Sequence, residues 1–177
     1  PQREETNEML KTCRRRAEKF VAAFNQASSS AKQTLLLDAQ KYANIALSQA
    51  PESPAALAFA DELSKTLKRT EQLVNHAYSQ LPRAEFDQVS RNIAEVEQLQ
   101  ADNKNVPEIK EQLAKIQSGY VVSMEKARAA KKACELQKAL EAVERALKFC
   151  PESLEAQTLL RQTKTERDEA HRLVKEA

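Results

Sequence analysis

The side chains able to do chemistry are few and scattered in this chain. His76 and His171 stand alone, without the HxxxH or HExxH spacing that would set two ligands on one helix face around a metal. Cys13, Cys134 and Cys150 form no CxxC pair and no Cys/His cluster. Their odd number and wide spacing predict small buried apolar residues in a reducing compartment, and hence a cytoplasmic location. With Gly119 as its one glycine, the chain has no Gly-rich loop to cradle a phosphate. Inside a helical stretch Gly119 costs about 1 kcal/mol relative to Ala and reads as a point of close packing or slight kinking. Asp and Glu follow Lys and Arg at helix spacing, as on a solvated face, and no acid–base pair stands out. The chain is therefore expected to be no enzyme, with no catalytic residues, no metal and no cofactor.

The residues that do suggest a site are basic. Arg14, Arg15 and Arg16 make the densest charge, and Lys68 and Arg69 form a second pair near Lys65. Arg15, Lys65 and Lys115 recur at intervals of 50 residues, which predicts a basic ladder if the chain repeats. Such a ladder would suit an acidic peptide, an anionic lipid or nucleic acid; the same residues also read as a solvated face with interspersed glutamates. No aromatics are interleaved with them to stack on single-stranded bases. The chain as a whole holds 28 basic and 26 acidic residues, a balance that exerts no general pull toward nucleic acid or membrane.

These residues must be positioned by helices. Strand signals are nearly absent, and no stretch reaches the roughly 18–20 consecutive apolar residues that span a bilayer. An internal repeat decides the organisation. Phe20, Phe24 and Ala27 face Tyr120, Met124 and Ala127 without a gap; Leu36, Ala39, Ala43, Ala46 and Leu47 face Leu136, Ala139, Val143, Ala146 and Leu147; Pro51-Glu52-Ser53 returns as Pro151-Glu152-Ser153. A middle copy carries Val74, Ala77, Phe86, Val89, Ile93 and Val96 in the matching places. Met9, Phe59, Ile109 and Leu159 form another column, as do Cys13, Leu63 and Leu113, with Thr163 a weaker fit.

Within each copy the apolar positions step by three and four, the spacing of one helix face. Each unit is a long helix of about 25 residues followed by a shorter one of about 17. Ser53 before Pro54, Ser153, Asn105 with Glu108, and Ser30 with Gln33 read as helix starts. Pro51, Pro107 and Pro151 mark ends or beginnings, and Pro82 separates the helices of the second unit. Residues 125–149 contain no breaker, so the repeat alone sets a turn near Lys131-Lys132. The expectation is seven helices at about 4–28, 31–49, 54–80, 83–101, 106–130, 132–149 and 153–176. They form a single all-α domain of units 1–52, 53–102 and 103–152 with a half unit 153–177. Opening on Pro1, the chain is expected to be part of a longer protein.

The short helices resemble those of the tetratricopeptide repeat family. Ala39, Ala43, Ala46 and Pro51 fit the four-and-three spacing of its small–aromatic–small positions and the proline five residues later, and Ala139, Val143, Ala146 and Pro151 fit it again. Ala27, Ala77 and Ala127 would be its small residue in the first helix. The middle unit departs, with Val89, Ile93 and Val96 in place of small residues and its proline displaced to Pro107. The family's unit is 34 residues; the extra 16 here would lengthen the first helix by about 24 Å. The resemblance implies an array of hairpins, a tetratricopeptide-like α-solenoid or compact helical repeat, that binds a protein or peptide partner and does no chemistry. The alternative is a structural spacer or oligomerisation rod, spectrin-like or coiled-coil, which would show continuous heptads. In the last helix Leu154, Ala156, Leu159 and Leu160 are expected to pack and the polar second half to project, leaving Leu173 and Val174 available for self-association.

Overall fold

The computed structural model describes residues 2–176. Its seven α-helices are α1 (Gln2–Lys32), α2 (Leu36–Gln49), α3 (Pro54–Gln80), α4 (Phe86–Leu99), α5 (Asn105–Lys132), α6 (Leu136–Phe149) and α7 (Leu154–Glu176), with a short 3-10 turn at Leu81–Arg83 between α3 and α4. The chain is all-α, with no strand among the described residues. None of these helices is long and apolar enough to cross a membrane.

The expected helices are all present, and the largest displacements share one cause. The turns after α1 and α5 lie later than expected, at residues 33–35 and 133–135. Thr34, Ala84 and Cys134 adopt left-handed φ values of 58°, 62° and 59°. Around each, the backbone closes in the same way. Leu35 N donates to Ser30 O (3.0 Å) and Thr34 N to Ala31 O (3.0 Å); Glu85 N pairs with Gln80 O and Ala84 N with Leu81 O; Glu135 N pairs with Ala130 O and Cys134 N with Lys131 O. This is the helix-ending arrangement that normally uses glycine. Thr, Ala and Cys carry no such signal, so the local sequence does not mark where these turns fall.

The helix starts are corrected in one place. Ser53 Oγ and Ser153 Oγ accept hydrogen bonds from Ala56 N (3.4 Å) and Ala156 N (3.3 Å), as expected. Ser30, however, lies inside α1 and caps nothing, since α1 continues to Lys32. The first turn of α2 is capped from a distance, by Asp102 Oδ2 accepting from Leu37 N at 2.9 Å.

Two compact units divide the chain. The first runs to Leu73 and resumes over Ala94–Lys104; the second comprises Val74–Ile93 and the residues from Asn105 onward. In the first, α1 packs against α2, with Ala27, Leu36, Ala39, Ala43 and Leu63 forming its core. Phe24 meets the edge of Phe59 with ring centroids 5.6 Å apart. Thr70 Oγ1 donates to Gln100 Oε1 at 2.8 Å, so the buried threonine is satisfied rather than stranded.

In the second unit α5 packs on α6, and α6 on α7. Phe86, Tyr120, Met124, Ala127, Val143, Ala146, Cys150 and Ala156 form its core. The alanines of each column let helices approach closely: Ala27, Ala77 and Ala127 are all buried. Gly119 provides another close approach, because a Cβ built there would clash with the far end of the Phe149 ring. Thr163 is fully buried and donates from Oγ1 to Leu159 O at 2.8 Å. It therefore holds its column in the core despite being polar, because a hydroxyl turned back onto its own helix needs no outside partner.

Two of the three cysteines contradict their expected burial. Cys150 is buried, but Cys13 and Cys134 are exposed. Cys134 occupies the left-handed turn, and Cys13 lies in a stretch of α1, residues 3–19, in which every residue is exposed.

Candidate interaction groove

The second unit carries an open groove of about 760 Å³. Three stretches of chain build it. The middle of α5 supplies Tyr120, Val121, Met124, Glu125 and Arg128, a set stepping by one and three and therefore held to one stripe of the helix. The turn ahead of α4 supplies Arg83 to Phe86, and the start of α7 supplies Glu152 to Glu155. Phe86 and Tyr120 meet edge to face, their centroids 5.7 Å apart, and with buried Met124 they make an apolar floor. Val121 and Leu154 stand at its margin, 40% and 79% exposed.

A polar network fastens these stretches. The Tyr120 hydroxyl lies 2.7 Å from Ser153 Oγ and donates to Glu155 Oε2 at 3.4 Å. With the tyrosine proton used on Glu155, Ser153 is left to donate to the tyrosine oxygen while accepting from Ala156 N. Arg128 pairs with Glu155 across from α5, and Arg83 Nε pairs with Glu152 Oε2 at 3.2 Å. Glu152 N also donates to Pro82 O at 2.9 Å, which ties the two turns together. Burial raises the Tyr120 phenol above its ordinary pKa; the Ser153 hydrogen bond opposes this and the Glu155 charge adds to it. The phenol thus stays protonated at neutral pH, as its donor role requires.

The groove's charge is acidic. Four carboxylates, from Glu85, Glu125, Glu152 and Glu155, face the guanidinium groups of Arg83 and Arg128. Both arginines are engaged with Glu152 and Glu155, so Glu85 and Glu125 supply the uncompensated charge.

The basic residues singled out in the sequence lie elsewhere. Arg14, Arg15 and Arg16 are exposed on α1, Lys65, Lys68 and Arg69 on α3, and Lys115 on α5. Arg14 pairs with Glu18 (3.1 Å), Lys65 with Asp61 (2.6 Å) and Arg69 with Glu95 (3.0 Å). The Asp61 hydrogen bond and charge raise the Lys65 pKa. Arg15 and Lys65 belong to the first unit and Lys115 to the second, and none of the seven lines the groove. The groove residues were missed because they come from three separate stretches of chain. The Phe86 and Tyr120 columns were visible, but only as core positions.

His76 and His171 are both exposed. No group of three or more His, Cys, Asp or Glu side chains among the described residues is placed to hold a metal ion. Set against family models, curated proteins and solved structures, the chain matches none of them.

Proposed function

We propose that this protein is a non-catalytic protein–protein interaction module or scaffold, built from tetratricopeptide-like hairpins with a lengthened first helix. The observation that carries this reading is the groove of the second unit. Its floor is apolar, its margin exposes Val121 and Leu154, and most of its polar groups are already bonded to one another. Such a surface has binding energy to give, and its two uncommitted carboxylates, Glu85 and Glu125, are exposed to solvent. The breaks at Thr34, Ala84 and Cys134 favour an array of hairpins over a continuous rod. Exposed Leu173 and Val174 on α7 offer a place for self-association. The proposed setting is reducing and cytoplasmic, which rests on three widely spaced cysteines with no pairing pattern in the sequence.

Affinity capture tests the reading. The immobilised protein should retain a protein partner that, once purified, binds saturably and is weakened by Val121→Glu. Capture no better than a helical control, together with turnover of a substrate, would overturn it.

A further inference from the structure

The groove's chemistry identifies what it takes. We infer that it receives a segment of a partner protein in which an aliphatic or aromatic side chain is flanked by lysine or arginine. This inference rests on the interaction-module reading and specifies the partner for that same groove.

The apolar part of the segment is dictated by the floor. Phe86 and Met124 are buried, while Val121 and Leu154 leave large apolar surfaces open beside them. A side chain inserted there covers the open faces of Val121 and Leu154 and rests on the core behind them. The basic part is dictated by the rim. Arg83 and Arg128 are held by Glu152 and Glu155, which leaves Glu85, ahead of α4, and Glu125, on α5, as exposed lining carboxylates without an ion pair. A basic segment meets both carboxylates; an acidic segment, a phosphate backbone or an anionic headgroup is repelled by them. A small polar ligand would need free convergent donors, and the Tyr120, Ser153 and Arg128 groups are already committed to Glu155 and to one another.

Selection from a random peptide display library on the immobilised full chain tests this. Affinities of the enriched peptides are then measured by fluorescence anisotropy on the wild type, Val121→Gln, Glu125→Lys and the double variant Lys65→Glu/Lys68→Glu. All four substituted positions are exposed, and circular dichroism checks that each variant keeps its helix content. The enriched peptides should carry apolar residues flanked by lysine or arginine, and their binding should weaken with salt. Val121→Gln, which removes apolar surface without adding charge, and Glu125→Lys should each weaken it by about tenfold or more, with the double variant unchanged. Enriched peptides that are acidic, or basic peptides indifferent to both groove variants, would overturn the groove assignment while leaving the interaction-module reading in place. A selection that enriches nothing, alongside a lysate capture that retains nothing, would overturn both.

Discussion

Thr34, Ala84 and Cys134 each hold a backbone conformation that disfavours any side chain. A left-handed L-residue costs about 1–2 kcal/mol, part of which glycine would lose again through the greater freedom of its unfolded chain. Ala84→Gly should therefore raise stability by about 0.5–1 kcal/mol, read as a higher urea midpoint. A lower midpoint would count against the strained turn. The thiols permit a second test at this scale. Cys13 and Cys134 are exposed whereas Cys150 is buried, with Sγ donating to Leu81 O at 3.4 Å. A thiol-specific chromogenic reagent should modify the first two rapidly in the native protein and the third only on unfolding. Burial pushes the Cys150 thiol up to about 11 from an ordinary 9.0, with a backbone hydrogen bond from Ala84 opposing the shift. Between those values the unfolded chain loses a proton that the folded chain keeps, so stability falls as pH rises through that window. Cys150→Ala should flatten this part of the stability profile; an unchanged slope would refute the assignment.

Among the elements, α1 and α7 are each packed over only part of their length. Residues 3–19 of α1 are exposed throughout, and beyond Thr163 the described part of α7 is exposed except at Arg167. The first half of α7 holds buried Ala156 and Thr163 and half-buried Leu159 and Leu160; further along, Glu166 pairs with Lys131 at 3.0 Å. Helices in water draw most of their stability from such packing, so an unpacked half frays. Amide hydrogen exchange should find strong protection near Leu159 and fast exchange near Val174. Uniform protection to the end of α7 would show that something else covers it. The helices themselves were legible because the three-and-four spacing of apolar residues survives without any partner. Where α1 ends was not, since the left-handed turn residue there is Thr34 rather than a glycine, and the cap on α2 comes from Asp102, far along the chain.

At the scale of the whole molecule, the left-handed turn residues Thr34, Ala84 and Cys134 fall 50 residues apart, as do the buried Ala27, Ala77 and Ala127, while the capping serines Ser53 and Ser153 fall 100 apart. Ala27 sits against Ala39 and Ala43 in one unit, as Ala127 sits with Val143 and Ala146 in the other. If the register is a true structural equivalence, Ala27→Phe and Ala127→Phe should each overpack a helix contact and cost about 1–3 kcal/mol. Thermal or denaturant unfolding of the two variants measures this. A large loss in one and none in the other would mean that the columns align in sequence but not in packing.

By itself the sequence determined the all-α class, the number of helices and most of the core. Those properties follow from local spacing and from small residues recurring at fixed intervals, which act wherever the chain goes. It also pointed to the basic residues, because charge is visible one residue at a time. Only the tertiary structure decided that Cys13 and Cys134 are exposed, that Thr163 is core, and that an acidic, apolar-floored groove joins the turn before α4, the middle of α5 and the start of α7. Exposure depends on which face a neighbouring helix covers. A groove exists only where separate segments meet, and no single stretch of this sequence contains that meeting.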